Sequence, residues 1–160
     1  LARGWKDDPD TLPLLKQRAT ADDDEDVRQA AMQELARGWK DDPDTLPMLK
    51  QRATADDNWD VRRAAMQELA RGWKDEPWMF EFMCDRAIND PFERKKDREG
   101  NPRRLALEII IKQYPDYPQT RPLLQDRAEN DPDEKVREFA KRVNNSTGWQ
   151  QGFLNLNLLL

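Results

Sequence analysis

The chain has 160 residues, of which 37% are hydrophobic and 37% are charged, and its mean hydropathy is −1.07. This composition is polar for one globular core and favours a thin array of repeated units that each bury a single layer. The net charge of −5 disfavours binding to nucleic-acid phosphates, because such binding needs a cluster of uncompensated cations. The single cysteine excludes an internal disulfide and predicts a reducing, cytoplasmic location, and no apolar stretch is long enough to predict a membrane span.

A repeat of 34 residues organises the sequence. The tract LARGWKDDPDTLP occurs at 1–13 and again at 35–47, and a third copy opens at residue 69 and then diverges. A period of this length is typical of stacked helix pairs, so we predict an all-α fold, a right-handed α-solenoid of about four such repeats. The predicted units lie near 1–34, 35–68, 69–109 (with a seven-residue insertion within 89–102) and 110–143, followed by an irregular tail at 144–160.

Each unit reads as two helices. The first is predicted to open at Asp10 or Thr11 as the capping residue, with Pro13 in the first turn, where its missing N–H is not needed. The acidic junction that follows suits the positive end of a second helix beginning near Asp26. Gly38 is the predicted C-terminal stop of that helix.

Tryptophans and arginines recur in register with the repeat. The tryptophans, with Tyr114 at the matching place in the third unit, are interpreted as wedges between units; a ladder of ligand contacts is the alternative. The arginines are interpreted as partners of turn aspartates, here Asp22, Asp56 or Asp131, and a grip on an acidic partner stays open. This predicted structural ladder comprises Trp5, Trp39, Trp73, Arg28, Arg62, Arg103 and Arg137.

The differences between the first two units are the main functional clue. They are Leu14/Met48, Asp24/Asn58, Glu25/Trp59 and Gln29/Arg63. The last two pairs lie four residues apart, so they share a helix face, and Trp and Arg are the residue types favoured at binding hot spots. We predict a partner-binding edge formed by Asn58, Trp59 and Arg63, with Asp24, Glu25 and Gln29 as its counterparts; neutral drift at exposed sites is the alternative.

The third unit offers further candidates. Its apolar run at 78–84 is predicted to pack against 109–111, with an exposed docking patch as the alternative. The basic tip of the insertion, 92–98, is placed to contact a partner, although such loops are more often only solvated. Cys84 is interpreted as a small buried residue, because the chain has no histidine that would activate it.

Catalysis is poorly supported by the composition. Without histidine, most acid–base and metal arrangements lose their commonest member. The acidic runs lack the central Gly and distal Glu of a calcium loop. We therefore expect no enzyme, no catalytic residue, no metal site and no cofactor.

A recurring motif carries a family resemblance. Asp-x-x-x-Asp-Val-Arg-x-Ala-Ala occurs at 22–31 and 56–65, and a looser version occurs at 131–140. This resembles the HEAT-like repeat of the phycobilisome-lyase type, over roughly residues 1–143. The tract LARGWKDDPDTLPLLKQRATADD at 1–23 is also similar to repeat arrays attached to bacterial NACHT-type NTPases.

The resemblance implies a protein–protein interaction scaffold that is the sensing or partner-binding region of a larger signalling protein. Its protein partner is unidentified. HEAT-like repeats also build bilin lyases, so a subunit that handles a tetrapyrrole is the alternative, to be tested by absorbance after mixing with a bilin. Nucleic-acid binding is not expected, since it requires a basic stripe.

Overall fold

The structure is a computed structural model that describes residues 6–146. Trp5 and the tail from residue 147 onward lie outside the described residues. The part described is helical and contains no strand. Its helices are α1 (Thr11–Ala21), α2 (Glu25–Gly38), α3 (Thr45–Ala55), α4 (Trp59–Gly72), α5 (Met79–Asn89), α6 (Pro102–Gln113), α7 (Thr120–Asn130) and α8 (Glu134–Asn145).

Helices α1 and α3 each begin at a turn organised by an aspartate two residues before the cap position. Asp42 accepts a hydrogen bond from the Asp44 N–H at 3.0 Å, and the Thr45 N–H donates to the Asp42 carbonyl at 3.1 Å. Thr45 Oγ1 also donates to the carbonyl of Trp39 at 2.8 Å, which ties the start of α3 to the end of α2. The expectation that Asp10 or Thr11 caps α1 is corrected in one respect, because the Asp10 side chain makes no capping hydrogen bond.

The second helix of each pair has a side-chain cap. The capping side chains accept hydrogen bonds from backbone N–H groups of the first turn, which satisfies donors that the helix itself leaves unpaired. They belong to Asp24, Asn58, Asn101 and Asp133. Helix α2 therefore begins at Glu25, one residue before the predicted start.

The end of α2 differs from the expected glycine stop. Gly38 is the last helical residue, and it does not adopt the left-handed conformation that favours glycine at a helix end. The next residue, Trp39, closes the helix through its N–H, which donates to the Leu35 carbonyl at 2.9 Å. Gly38 is thus inside the helix and not beyond it.

The chain divides into two compact units, Leu1–Met79 and Phe80–Leu160. In the first unit, α2 packs against its own pair partner α1 and against both helices of the next pair, α3 and α4. Its core includes Met32, Leu35, Leu49, Met66 and Leu69, each at most 1% exposed. This stacking of helix pairs is the packing of an α-solenoid, because each pair buries one face against the next.

In the second unit, α6 packs against α7 and α8, which form a pair of their own. Leu107, Ile110 and Leu124 are fully buried there. Phe80 stacks edge-on against Tyr114, with ring centroids 5.6 Å apart, and lies 4.5 Å from the ring of Tyr117. The predicted all-α fold of stacked helix pairs is confirmed.

Candidate protein-interaction surface

Arg28 joins its own turn to the next one. Its Nε and Nη2 donate to the two carboxylate oxygens of Asp56, both at 3.1 Å, and its Nη1 donates to the carbonyls of Asp22 and Asp23. The hydrogen bonds that Arg28 donates to Asp56 raise the pKa of Arg28 above its ordinary value, against the opposing effect of burial. The two-pronged geometry fixes both distance and angle between the turns.

The same arrangement recurs in the second compact unit. Arg103 donates through Nε and Nη2 to Asp131, and through Nη1 to the carbonyls of Asp90 and Phe92. The side chains of Arg103 and Asp131 are 3% and 0% exposed, so neither is available to an external partner.

The remaining two arginines of the ladder also contact the backbone of their turns. Arg62 is buried and donates to the carbonyls of Asp56 and Asp57. Arg137 donates to the carbonyls of Asp131 and Pro132. These contacts favour a role in holding the turns over a role in gripping an acidic partner.

The recurring aromatic residues lie at the ends of the second helices. Trp39 is half-buried, whereas Trp73 and Tyr114 are each 7% exposed. The ammonium group of Lys6 lies 5.8 Å from the ring of Trp39, and that of Lys40 lies 5.2 Å from the ring of Trp73. The covered indole of Trp73 favours a wedge over a ligand-binding ladder, and Trp5 lies outside the described residues.

Two of the predicted edge residues are helix caps. Asp24 accepts from the N–H groups of Asp26 and Val27, and Asn58 accepts from those of Asp60 and Val61. The cap dihedrals agree within a few degrees, with φ/ψ of −83/119 and −84/124. The exchange of Asp for Asn therefore preserves the local backbone, and its structural effect is confined to the charge of the cap.

The other two differences alter one patch on the first turn of the second helix. In repeat 2 (residues 35–68), the guanidinium of Arg63 lies 5.9 Å from the ring of Trp59 and pairs with Asp60 at 3.2 Å. Trp59 and Arg63 are both half-buried. In repeat 1, Glu25 is exposed and Gln29 is half-buried at the same two places. The patch thus changes from an acid and an amide to a stacked indole and guanidinium.

The insertion is fastened to the turn that precedes α8, which the sequence did not indicate. Arg94 donates to Asp133 through Nε and Nη2, at 3.0 and 2.8 Å, and through Nη1 to the carbonyls of Asp97 and Glu99. Asn101 Nδ2 donates to the same carboxylate at 2.8 Å. The basic tip retains exposed side chains at Lys95, Lys96 and Arg98, but the loop that carries them is anchored.

The carboxylate of Asp133 holds this loop in place. Burial disfavours its charged form, but hydrogen bonds from Arg94, Asn101 and the Lys135 N–H outweigh burial and hold its pKa below the ordinary value. The folded pKa lies below the unfolded one, so this stabilisation is present above about pH 4 and is lost as the pH falls through the folded value.

We expect Asp133→Asn to lower the free energy of unfolding by about 1–3 kcal/mol at pH 7, because buried donors of Arg94 lose a charged acceptor. Urea unfolding at pH 7 and pH 3 checks this, and the variant should lose less stability on acidification than the parent. Glu138→Gln changes an exposed residue of α8 and serves as the control. An equal acid response in parent and Asp133→Asn would contradict the assignment.

A cleft of about 370 Å³ lies beside this loop, with Ile88, Pro91, Phe92 and Pro132 among its lining residues. Arg94 and Arg103 also line it, but their N–H groups point to Asp133, Asp131 and backbone carbonyls. The two guanidinium groups that line the cleft are therefore already hydrogen-bonded within the protein, so the cleft is not proposed as an anion site.

Cys84 is half-buried, which corrects its interpretation as a buried residue. Burial, with a smaller contribution from Glu81, raises the pKa of its thiol to about 11, so the reactive thiolate is disfavoured at neutral pH. Within residues 6–146, no three His, Cys, Asp or Glu side chains are grouped to hold a metal ion. No helix in that range is both long and apolar enough to span a membrane.

Comparison with known families agrees with the helix-pair packing. Residues 1–70 match the family model of HEAT repeats. The first 70 residues are therefore similar to HEAT repeats. No curated protein sequence and no solved structure matches the chain. HEAT repeats generally serve as scaffolds for protein–protein interaction and are typically not enzymes.

Proposed function

We propose that this HEAT-like protein binds a protein partner through the patch formed by Trp59 and Arg63 on repeat 2. The observation that carries the proposal is the exchange of Glu25 and Gln29 for this stacked pair, on a frame that otherwise differs only at Leu14/Met48 and Asp24/Asn58. The capping geometry and the arginine contacts to turn carbonyls are shared by both repeats. A change confined to neighbouring surface positions alters recognition without altering the fold.

The chemistry of the patch indicates the kind of partner. An indole supplies apolar area at low entropic cost, and a guanidinium stacked on it presents N–H donors in a plane. Asp60 occupies one side of Arg63, at 3.2 Å, and leaves the remaining donors for an acceptor on the partner. The patch thus suits a segment that carries an apolar side chain next to a carboxylate or carbonyl.

Exchanging the patches between repeats tests this proposal. We expect the double change Trp59→Glu with Arg63→Gln to weaken partner binding at least about tenfold, or about 1.4 kcal/mol. The partner is first captured by crosslinking in an extract of the source organism and purified, and its affinity is then measured by biolayer interferometry. The matched control, Glu25→Trp with Gln29→Arg, places the same chemistry on repeat 1.

An affinity that the repeat 2 exchange leaves unchanged would rule out this patch as the binding site. Circular dichroism and urea unfolding of both variants separate loss of binding from loss of folding. If the repeat 1 exchange abolishes binding instead, the recognition surface lies on the first helix pair.

We further propose a signalling context for this interaction. The support is the resemblance of the tract at 1–23 to arrays that accompany NACHT-type NTPases. A phosphate-binding P-loop encoded on the same polypeptide would make the array the sensing part of an NTPase. Its absence from the complete gene would contradict that context and leave the scaffold function in place.

A further inference from the structure

One face of repeat 1 is exposed although the same residues are buried in repeat 2. Val27 is 38% exposed and Ala30 is exposed, whereas Val61 and Ala64 are 0% and 2% exposed. The two repeats carry identical residues at these positions. The difference therefore comes from the neighbouring helix pair and not from the sequence of the repeat.

Helix α2 is the neighbour that covers this face in repeat 2. Val61, Ala64 and Glu68 share one face of α4, since they lie three and four residues apart. Glu68 on that face accepts a hydrogen bond from Arg37 of α2 at 2.7 Å, and the two helices pack together. The counterpart of Arg37 is Arg3, which lies outside the described residues.

Acidic side chains border the covered face of repeat 2 and bind cations of repeat 1. The ammonium of Lys16 lies 2.7 Å from both Asp42 and Asp44, and the guanidinium of Arg28 binds Asp56 with two hydrogen bonds. The pKa of Lys16 is raised by its hydrogen bonds to the two carboxylates, and that of Asp42 is lowered. Apolar contact and charge pairing thus act together at this interface.

The acidic border of repeat 1 has the same geometry but lacks the cations that a neighbouring helix pair supplies in repeat 2. Asp22 binds Arg18 of its own helix pair at 2.8 Å, as Asp56 binds Arg52, but it has no counterpart of Arg28 among the described residues. Asp8 accepts from the Asp10 N–H at 2.9 Å, as Asp42 does from Asp44, and Asp22 accepts from the Asp24 N–H at 3.0 Å. Between residues 6 and 146, no lysine reaches Asp8 and Asp10 as Lys16 reaches their counterparts. The carboxylates are therefore positioned for cations that an additional helix pair would supply.

We propose that this face docks one further helix pair of the same repeat class. Val27 and Ala30 form its apolar centre, and Asp8, Asp10 and Asp22 border it. Continuity with the interface between repeats 1 and 2 identifies the occupant, because that interface is formed by the same residues. The docked pair would place a lysine between Asp8 and Asp10, an arginine on Asp22, and an apolar helix over Val27 and Ala30.

A second copy of the chain does not supply that surface through its last described helix pair. Lys141 of α8 stands where repeat 1 has Met32, and Asn144 stands where it has Leu35. Lys141 is exposed. The outward side of α8 is thus polar at the places where an apolar helix is needed.

Extension of the full chain by one repeat tests the proposal. A copy of residues 1–34 is placed directly before Leu1, and hydrogen exchange of residues 25–34 is compared with that of the parent. We expect exchange to slow at least about tenfold, since covering the face stabilises α2 against local opening. A control extension carries Lys16→Glu, Arg28→Glu and Met32→Asp within the added copy only, and it should leave exchange at the parent rate.

Equal exchange in the parent and the extended chain would overturn the proposal, as would equal protection by the control extension. Sedimentation equilibrium of the unmodified chain between 5 and 200 μM (about the range in which micromolar dimers appear) tests the competing occupant. A monomer is expected throughout, and a dimer that Val27→Asp dissociates would assign the face to a second copy instead.

Discussion

Replacement of Arg103 by alanine is expected to lower the free energy of unfolding by about 3–5 kcal/mol. The change removes the two-pronged partner of Asp131, whose side chain is 0% exposed, and removes the donor of the carbonyls of Asp90 and Phe92. The carboxylate keeps the more distant Arg127, at 3.8 Å, and the N–H of Asp133. The cost comes mainly from the carboxylate of Asp131, because it stays buried after losing its two charged hydrogen bonds and the remaining contacts only partly replace its solvation. Urea denaturation followed by circular dichroism measures it.

Two variants separate the sources of that loss. Arg103→Lys keeps the positive charge but cannot make the two-pronged contact, so an intermediate loss is expected. Arg137→Ala removes only hydrogen bonds to the carbonyls of Asp131 and Pro132 among the contacts described, and about 1–2 kcal/mol is expected. If Arg103→Ala costs no more than Arg137→Ala, the buried pair is not a main stabilising contact.

Trp73→Ala is the second change for which a large effect is expected, about 3–5 kcal/mol. The indole is 7% exposed and closes α4 through its backbone, where its N–H donates to the Leu69 carbonyl at 2.9 Å. Removing the ring leaves a cavity at the end of the helix and removes the surface over which Lys40 lies.

The same change at Trp39 serves as the matched control, because its local sequence and its lysine contact repeat those of Trp73 while its ring is only half-buried. A smaller loss is expected at Trp39, since less apolar area leaves water there. Equal losses at the two positions would show that burial of the indole does not determine the effect, since alanine keeps the backbone N–H that closes each helix.

The candidate patch was predictable in part. The spacing of positions 59 and 63 places them on one helix face, and the two side chains do lie together. That Asp24 and Asn58 act as caps was within reach of the sequence, because Asp and Asn are preferred N-cap residues and an acidic junction precedes the helix. The contact between Arg94 and Asp133 was not, since the two residues lie 39 positions apart and in no repeating register.

The exposed face of repeat 1 shows most clearly where the sequence ceases to be informative. Val27 and Val61 have the same neighbours in the chain, and a local pattern assigns both to an apolar stripe. Only the presence of a covering helix makes one exposed and the other buried.

By itself the sequence determined the repeat, the helix pairs and the recurrence of Arg28 and Arg103 beside turn aspartates, because period and turn chemistry are local properties of the chain. Only the tertiary structure decided which aspartate each arginine binds, where the insertion is fastened and which face remains open. Those features depend on residues that meet across helix pairs, and burial at such contacts is set by the neighbour that covers a residue and not by the residue itself.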